Sequence, residues 1–189
     1  MDISGCDRMA DKSRFYRWVE VKDFLEDPER KLFRSSAPGY SGDHDTVQEL
    51  DKSDITWLEE IANSITRILS LNECLYSADA RGKLAEARID YEHRPVTDYT
   101  PPTLDDVHFA VNMRKEAPPG NMLVHCGYGF GRTGTLITAM QLQATNGSLS
   151  LGSLQKTLED LMKNNHVERD EQRNFLKEYQ RQLIHHGEL

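Results

Sequence analysis

The chain has 189 residues, of which 38% are hydrophobic, and this is enough for one domain with a sizeable core. Its formal net charge of -8 argues against nucleic acid as a partner and against a docking patch for anionic membranes, because both need a basic surface. Cys6, Cys74 and Cys126 are too few and too scattered for a disulfide scaffold, and no apolar run reaches the roughly 20 residues of a membrane-spanning helix.

The first part of the chain is predicted to be an N-terminal extension, residues 1–30, ahead of a single domain, residues 31–189. Its first dozen residues are polar and we expect them to be only loosely ordered. The stretch from Phe15 to Val21 is a candidate strand or packing arm, and Lys31 to Arg34 is a candidate strand.

The middle of the chain alternates helical and strand-like segments. Helical spacing of apolar residues around Ile55 and Leu58 predicts a helix, which precedes the short apolar strand Ile68 to Leu71. A second helix from Ala78 to Ala87 and a strand-like run from Ile89 to Val96 follow. A helix is then predicted from Thr103 to about Glu116. This alternation predicts an α/β fold with a mainly parallel central sheet of four to five strands and helices on both faces.

Two apolar stripes at helical spacing close the chain. The first runs from Leu151 through Leu154 to Met162, and the second runs from Phe175 to Leu183. Both predict core-packed helices.

The most informative stretch is HCGYGFGRTGT, residues 125–135. The apolar segment Asn121 to Val124 predicts a buried strand ending at the cysteine, and a helix is predicted from Thr135 to Gln143. A glycine loop between a strand and a helix N-terminus points its backbone N–H groups inward, so it binds a phosphate without a metal or other cofactor. The predicted phosphate-binding residues are Gly127, Tyr128, Gly129, Phe130, Gly131 and Arg132.

Cys126 and Arg132 are the reactive residues predicted in this loop. A thiol beside a helix N-terminus and an arginine is expected to be a thiolate at neutral pH, and therefore a nucleophile. The planar fork of Arg132 matches two oxygens of a phosphoryl group. The alternative is a buried, inert cysteine in an ordinary tight turn.

Asp98 is the candidate acid. It follows the strand-like run in the segment RPVTDYTPP, residues 94–102, on a loop of the kind that can bring a carboxylic acid over a bound phosphate. It would protonate the leaving group and then take a proton from the hydrolytic water. The alternative is a solvated turn residue.

These residues resemble a known family. HCGYGFGRTGT is similar to the active-site signature of cysteine-dependent protein tyrosine phosphatases, and its second half resembles the small atypical dual-specificity phosphatases. RPVTDYTPP resembles the general-acid loop of that group, and VERDEQ, residues 167–172, is similar to the segment after its signature helix. The resemblance covers about residues 32–182.

The resemblance implies roles for several residues. Cys126 would be the nucleophile, Arg132 the transition-state clamp, Asp98 the acid and base, and Thr133 a hydroxyl donor to the departing thiolate. His125 would support the loop through hydrogen bonds, although it is also compatible with a satisfied core histidine. For Gln172 the resemblance implies positioning of water, and a solvated helix face is the alternative. The segment from Arg34 to Pro38 resembles a short arginine-serine element near the start of the family's sheet and is interpreted as structural.

The residues and the resemblance lead to three candidate functions. The first is a protein phosphatase acting on phosphotyrosine, with phosphoserine and phosphothreonine as further candidates. The second is the same chemistry on a nucleotide, an RNA 5′ end or an inositol phosphate. Tyr128 and Phe130 stand where phosphoinositide-selective members carry basic residues, which disfavours highly charged lipids. The third is a non-catalytic phosphate-binding module. We expect a monomer in the cytoplasm, with a secreted effector as the alternative.

Cys74 follows the predicted strand that should lie beside the strand of Cys126. We predict that mild peroxide forms a reversible Cys74–Cys126 disulfide, and a buried, unreactive core cysteine is the alternative.

Overall fold

The computed structural model describes residues 14–40, 42, 45–61, 64–151 and 154–187. Cys6 and the first dozen residues, predicted to be loosely ordered, lie outside these ranges. Within them the chain forms a central sheet with helices on both faces.

The central sheet has five strands: β1 (Val19–Val21), β2 (Leu32–Ser36), β3 (Ile65–Ser70), β4 (Asp90–His93) and β5 (Asn121–Cys126). Their order is β1-β2-β5-β3-β4, and each neighbouring pair is parallel except β1 with β2. The predicted mainly parallel sheet is therefore confirmed, and β5, which ends at Cys126, lies at its centre.

The helices are α1 (Lys52–Thr56), which continues as a π-helical turn over Trp57–Ile61, α2 (Ala78–Glu86), α3 (Leu104–Lys115), α4 (Gly131–Ala144), α5 (Leu158–Asn164) and α6 (Asp170–Gly187). Alternate strand residues separate two hydrophobic clusters. Met122 and Val124 face the cluster formed with α3, α4, α5 and α6, whereas Leu123 faces the cluster formed with α1 and α2. Helix α4 is buried from Gly131 through Leu142, as expected for a helix at the centre of a core.

The sequence-based boundaries of several segments need correction. Helix α4 begins at Gly131, four residues before the predicted start at Thr135, so Gly131 and Arg132 lie in its first turn and not in the loop before it. Leu151 and Leu154 were predicted to lie on one helix, but they belong to a two-stranded hairpin, β6 (Ser150–Leu151) and β7 (Leu154–Gln155). Helix α5 starts later because Thr157 caps it, accepting a hydrogen bond from the backbone N–H of Asp160. The strand-like run to Val96 ends as a regular strand at His93, although the backbone N–H groups of Arg94 and Val96 still donate to the carbonyls of Ser70 and Leu71 at 3.0 Å each.

Helix α3 begins where the sequence predicts. Thr103 is its N-cap and forms a capping box with Asp106, which fixes the exit of the loop that carries Asp98. No helix within the described ranges is long and apolar enough to cross a membrane.

Candidate active site

A cavity of about 380 Å³ opens at the carboxyl end of β5, where parallel α/β sheets commonly bind ligands. Its lining residues are Tyr40, Gly42, Asp98, Tyr99, Cys126, Tyr128, Phe130, Gly131, Arg132, Glu168 and Gln172. The structure therefore brings Cys126, Arg132 and Asp98, which the sequence analysis selected separately, to one cavity.

The loop between β5 and α4 wraps around the sulfur of Cys126. The side chain is buried, and the backbone N–H of Gly129 donates to Sγ at 3.3 Å. Gly129 has a φ of +91°, and a Cβ there would lie 2.4 Å from the carbonyl oxygen of Ser35. Only glycine fits this position without strain. Behind the loop, Nη1 of buried Arg34 donates to the carbonyl of Gly129 at 3.4 Å, in agreement with a structural role for residues 34–36.

Arg132 is held by a carboxylate that the sequence analysis did not select. Its Nη1 and Nη2 donate to Asp45 at 2.5 and 3.1 Å, and Nη1 also donates to the carbonyl of Val96 at 3.0 Å. The side chains of Arg132 and Asp45 are only 3% and 4% exposed. Burial alone would lower the pKa of Arg132, but its hydrogen bonds to Asp45 and the charges of Cys126, Asp45 and Asp98 raise it. Arg132 therefore keeps its charge.

Asp45 is itself fixed by neighbouring segments. Its Oδ2 accepts from the backbone N–H of Glu73 at 2.8 Å, and its backbone carbonyl accepts from Sγ of Cys74 at 3.5 Å. No motif surrounds this aspartate, so its contact with Arg132 could not be found from sequence spacing. Cys74 is a partly buried free thiol, and the Cys74–Cys126 disulfide stays a prediction.

Asp98 lies in a turn and also faces the site. Its side chain is 47% exposed, and Oδ1 accepts from the backbone N–H of Tyr99 and lies 3.2 Å from Nη2 of Arg132. Tyr99 itself has a φ of +64°. The carboxylate is thus accessible to solvent and close to the guanidinium that would hold a phosphate.

His125 is fully buried behind the loop. Its Nδ1 donates to the carbonyl of Cys126 at 3.2 Å, because a carbonyl can only accept, and Nε2 therefore accepts from the hydroxyl of Tyr76 at 2.8 Å. Burial lowers the pKa of His125 to about 4. The imidazole is neutral at pH 7 and supports the loop through hydrogen bonds.

Thr133 and Gln172 occupy different environments. Oγ1 of Thr133 is buried, and among the described residues it has no hydrogen-bond partner. Its role as a donor to the thiolate stays a prediction. Gln172 lines the cavity, but Oε1 accepts from the backbone N–H groups of Glu168 and Arg169, and Nε2 donates to the carbonyl of Thr100. These contacts join the start of α6 to the loop that carries Asp98.

Aromatic rings form much of the cavity wall. Tyr40, Tyr99, Tyr128 and Phe130 all line it. Two arginines cover the outer rings: the guanidinium carbon of Arg17 lies 3.4 Å from the centroid of Tyr128, and that of Arg169 lies 4.1 Å from the centroid of Tyr99. The entrance therefore combines flat apolar surfaces with positive charge.

Comparisons with known proteins identify a family for this chain. A family model described as polymorphic toxin system, DSP-PTPase phosphatase (Tc-R-P) matches residues 45–146, more than half of the chain. The search of curated proteins found no significant match.

Several solved structures share the fold. The structure of PTPMT1 in complex with PI(5)P is 17% identical, with a TM-score of 0.59, over 82% of this chain and 94% of that chain. Kinase-associated phosphatase, with its catalytic-site cysteine replaced by serine, is 16% identical, with a TM-score of 0.60, over 88% and 94%. The core catalytic domain of the PP-IP phosphatase SIW14 from S. cerevisiae is 16% identical, with a TM-score of 0.56, over 78% and 80%.

Proposed function

This chain belongs to the polymorphic-toxin-system DSP-PTPase phosphatases, and from that premise we propose that it hydrolyses phosphotyrosine, and also phosphoserine and phosphothreonine, through a phosphocysteine intermediate. The observation that carries the proposal is the convergence of Cys126, Arg132 and Asp98 on one cavity. A non-catalytic binding module would not require all three.

The reaction has two steps. In the first, the thiolate of Cys126 attacks phosphorus, so that an S–P bond forms while the ester P–O bond breaks, and Asp98 gives its proton to the departing oxygen. In the second, water attacks phosphorus while the carboxylate of Asp98 takes a proton from that water. The S–P bond breaks, releasing inorganic phosphate and restoring the thiolate.

The loop and Arg132 would stabilise both transition states. Arg132 spreads its charge over the phosphoryl oxygens, and its rigid attachment to Asp45 keeps the guanidinium in place before substrate arrives. The N–H of Gly129 and the hydroxyl of Thr133 would stabilise the thiolate as it leaves phosphorus.

The aromatic residues of the cavity wall favour a substrate with an aromatic leaving group. The rings of Tyr40, Tyr99 and Tyr128 offer flat surfaces against which a phosphotyrosine ring can pack. Non-protein phosphates remain the second candidate, because one similar structure, PTPMT1, holds PI(5)P and another, SIW14, is a PP-IP phosphatase. The carboxylate of Asp98 in the cavity, and that of buried Asp45 beside Arg132, disfavour such highly anionic substrates.

The first test is hydrolysis of aryl phosphates in EDTA by the wild type, Cys126→Ser and Asp98→Asn. We expect no turnover by Cys126→Ser. Asp98→Asn should lose about 10²–10⁴-fold on phenyl phosphate, but much less on a substrate whose leaving group needs no proton. Turnover that persists in Cys126→Ser, or an equal loss on both substrates, would contradict the assigned roles.

The second test ranks substrates. Values of kcat/KM are compared for a phosphotyrosine peptide, the matched phosphoserine peptide, soluble inositol phosphates and RNA with a 5′ phosphate. We expect the phosphotyrosine peptide to be the best substrate. A higher value for an inositol phosphate or the RNA would move the assignment to the second candidate.

The toxin-system description of the family supports the secreted-effector alternative over residence in the cytoplasm of the producing cell. We expect expression of the wild type inside a test bacterium to slow growth, and expression of Cys126→Ser to have no effect. Equal growth with both would count against a toxin role.

A further inference from the structure

One amide of the phosphate-binding loop is already occupied by a side chain. The backbone N–H of Gly131 donates to Oε2 of Glu168 at 3.1 Å. The contact is close, since a Cβ on Gly131 would lie only 2.4 Å from the same oxygen. Glu168 also lines the cavity that contains Cys126 and Arg132.

The occupant has the chemistry of the expected ligand. Backbone N–H groups in such a loop bind phosphate because they present donors and partial positive charge to an anionic oxygen. A carboxylate oxygen is an acceptor with the same sign of charge. Glu168 and a phosphate oxygen therefore compete for the amide of Gly131.

The carboxylate of Glu168 is not held in a direct ion pair by any residue that the structure describes. Among the described residues Glu168 forms no ion pair, whereas Arg132, in the same cavity, already contacts Asp45 and Asp98. The backbone N–H of Glu168 is fixed by Oε1 of Gln172 at 3.1 Å, but its side chain is exposed and can turn away.

We propose that Glu168 is a specificity-determining residue that binds the amide of Gly131, must release it to a bound phosphate, and thereby weakens the binding of anionic ligands. This inference rests on the proposed function only in that the loop takes a phosphate. The effect grows with the charge of the ligand, because the displaced carboxylate stays near the cavity. Glu168 therefore favours a simple monoester over a ligand that carries several phosphates.

The test measures binding rather than turnover. Calorimetric titration with inorganic phosphate compares the wild type with Glu168→Gln, which keeps an acceptor but removes the charge. Glu171→Gln is the control, because Glu171 is also exposed near the start of α6 and its replacement removes the same charge. We expect Glu168→Gln to bind phosphate on the order of tenfold more tightly, the effect of replacing one charge-assisted hydrogen bond by a neutral one. Glu171→Gln should stay within twofold of the wild type.

A second titration uses inositol hexakisphosphate as a highly charged probe. Its affinity should rise by a larger factor than that of phosphate in Glu168→Gln. Three results would overturn the proposal. Glu168→Gln could bind phosphate no more tightly than the wild type, or Glu171→Gln could gain as much affinity as Glu168→Gln. The third result is that neither the wild type nor Glu168→Gln binds phosphate. Absence of turnover with a tightened phosphate affinity would refute the proposed enzyme function and leave the role of Glu168 intact.

Discussion

Replacing Asp45 by asparagine should separate the orientation of Arg132 from its charge. Asp45 accepts from both terminal nitrogens of Arg132, and hydrogen bonds to charged groups contribute about 1.5–3 kcal/mol each. Asparagine keeps one oxygen acceptor, and the carbonyl of Val96 still accepts a hydrogen bond from Nη1 of Arg132. We therefore expect a loss equal to about one such bond, or roughly 10–150-fold in kcat.

The assay compares kcat on an aryl phosphate with the inhibition constant of inorganic phosphate. Phosphate binding should not weaken, because the substitution removes a negative charge beside Arg132. Asp54→Asn is a matched control, since buried Asp54 accepts from Nε of Arg14 but has no contact with the site. It should lose stability and keep its kcat. A kcat for Asp45→Asn within twofold of the wild type would refute the idea that Asp45 positions Arg132.

Three further predictions concern the loop and its support. Because burial lowers the pKa of His125 to about 4, the unfolded chain binds more protons below pH 6.5, and the free energy of unfolding should fall by up to about 3 kcal/mol as the pH drops from 6.5 to 4. Urea unfolding at several pH values gives the slope of this free energy against pH, and in His125→Gln the slope should be smaller by about one proton. An unchanged slope in His125→Gln would contradict this prediction. Tyr76→Phe leaves Nε2 of His125 without its donor, so the free energy of unfolding in urea should fall by about 1–3 kcal/mol. A fall of less than about 0.5 kcal/mol, which is typical of neutral substitutions, would argue against that hydrogen bond. Gly129→Ala should abolish phosphate binding, because its Cβ meets the carbonyl of Ser35, whereas Gly82→Ala, in the open on α2, should raise stability by roughly 0.5–1 kcal/mol. Retained phosphate binding by Gly129→Ala would show that the loop tolerates a side chain.

The parts of the site that could be predicted from sequence are those encoded locally. A run of apolar residues, a glycine loop and a helix follow one another over residues 121–144, so the order strand, loop, helix fixes where Cys126 and Arg132 lie. Thr103 likewise marks the start of α3 within one residue. Leu151 and Leu154 lie at helical spacing in the sequence, but they pair across two short antiparallel strands, and the helix begins only after its N-cap Thr157.

The missed residues reach the site from distant segments. Asp45 is 87 residues from Arg132, Tyr76 is 49 residues from His125, and Glu168 is 37 residues from Gly131. None carries a signal in its own neighbourhood, because its partner is set by how the chain folds. The resemblance selected Gln172 in the same segment as Glu168, yet the amide of Gln172 is engaged by backbone groups while Glu168 contacts the loop.

Glu168 lines the cavity and Asp45 contacts Arg132 beside it, and a purely electrostatic account would give the neutral variants of both the same phenotype. The geometry predicts different ones. Asp45 contacts the guanidinium, which must be oriented in the transition state, so Asp45→Asn should lower kcat without weakening phosphate binding. Glu168 contacts an amide that phosphate needs in the ground state, so Glu168→Gln should tighten phosphate binding with no comparable fall in kcat. If both variants simply tighten binding, the net charge of the cavity decides affinity. The individual hydrogen bonds would then have little influence.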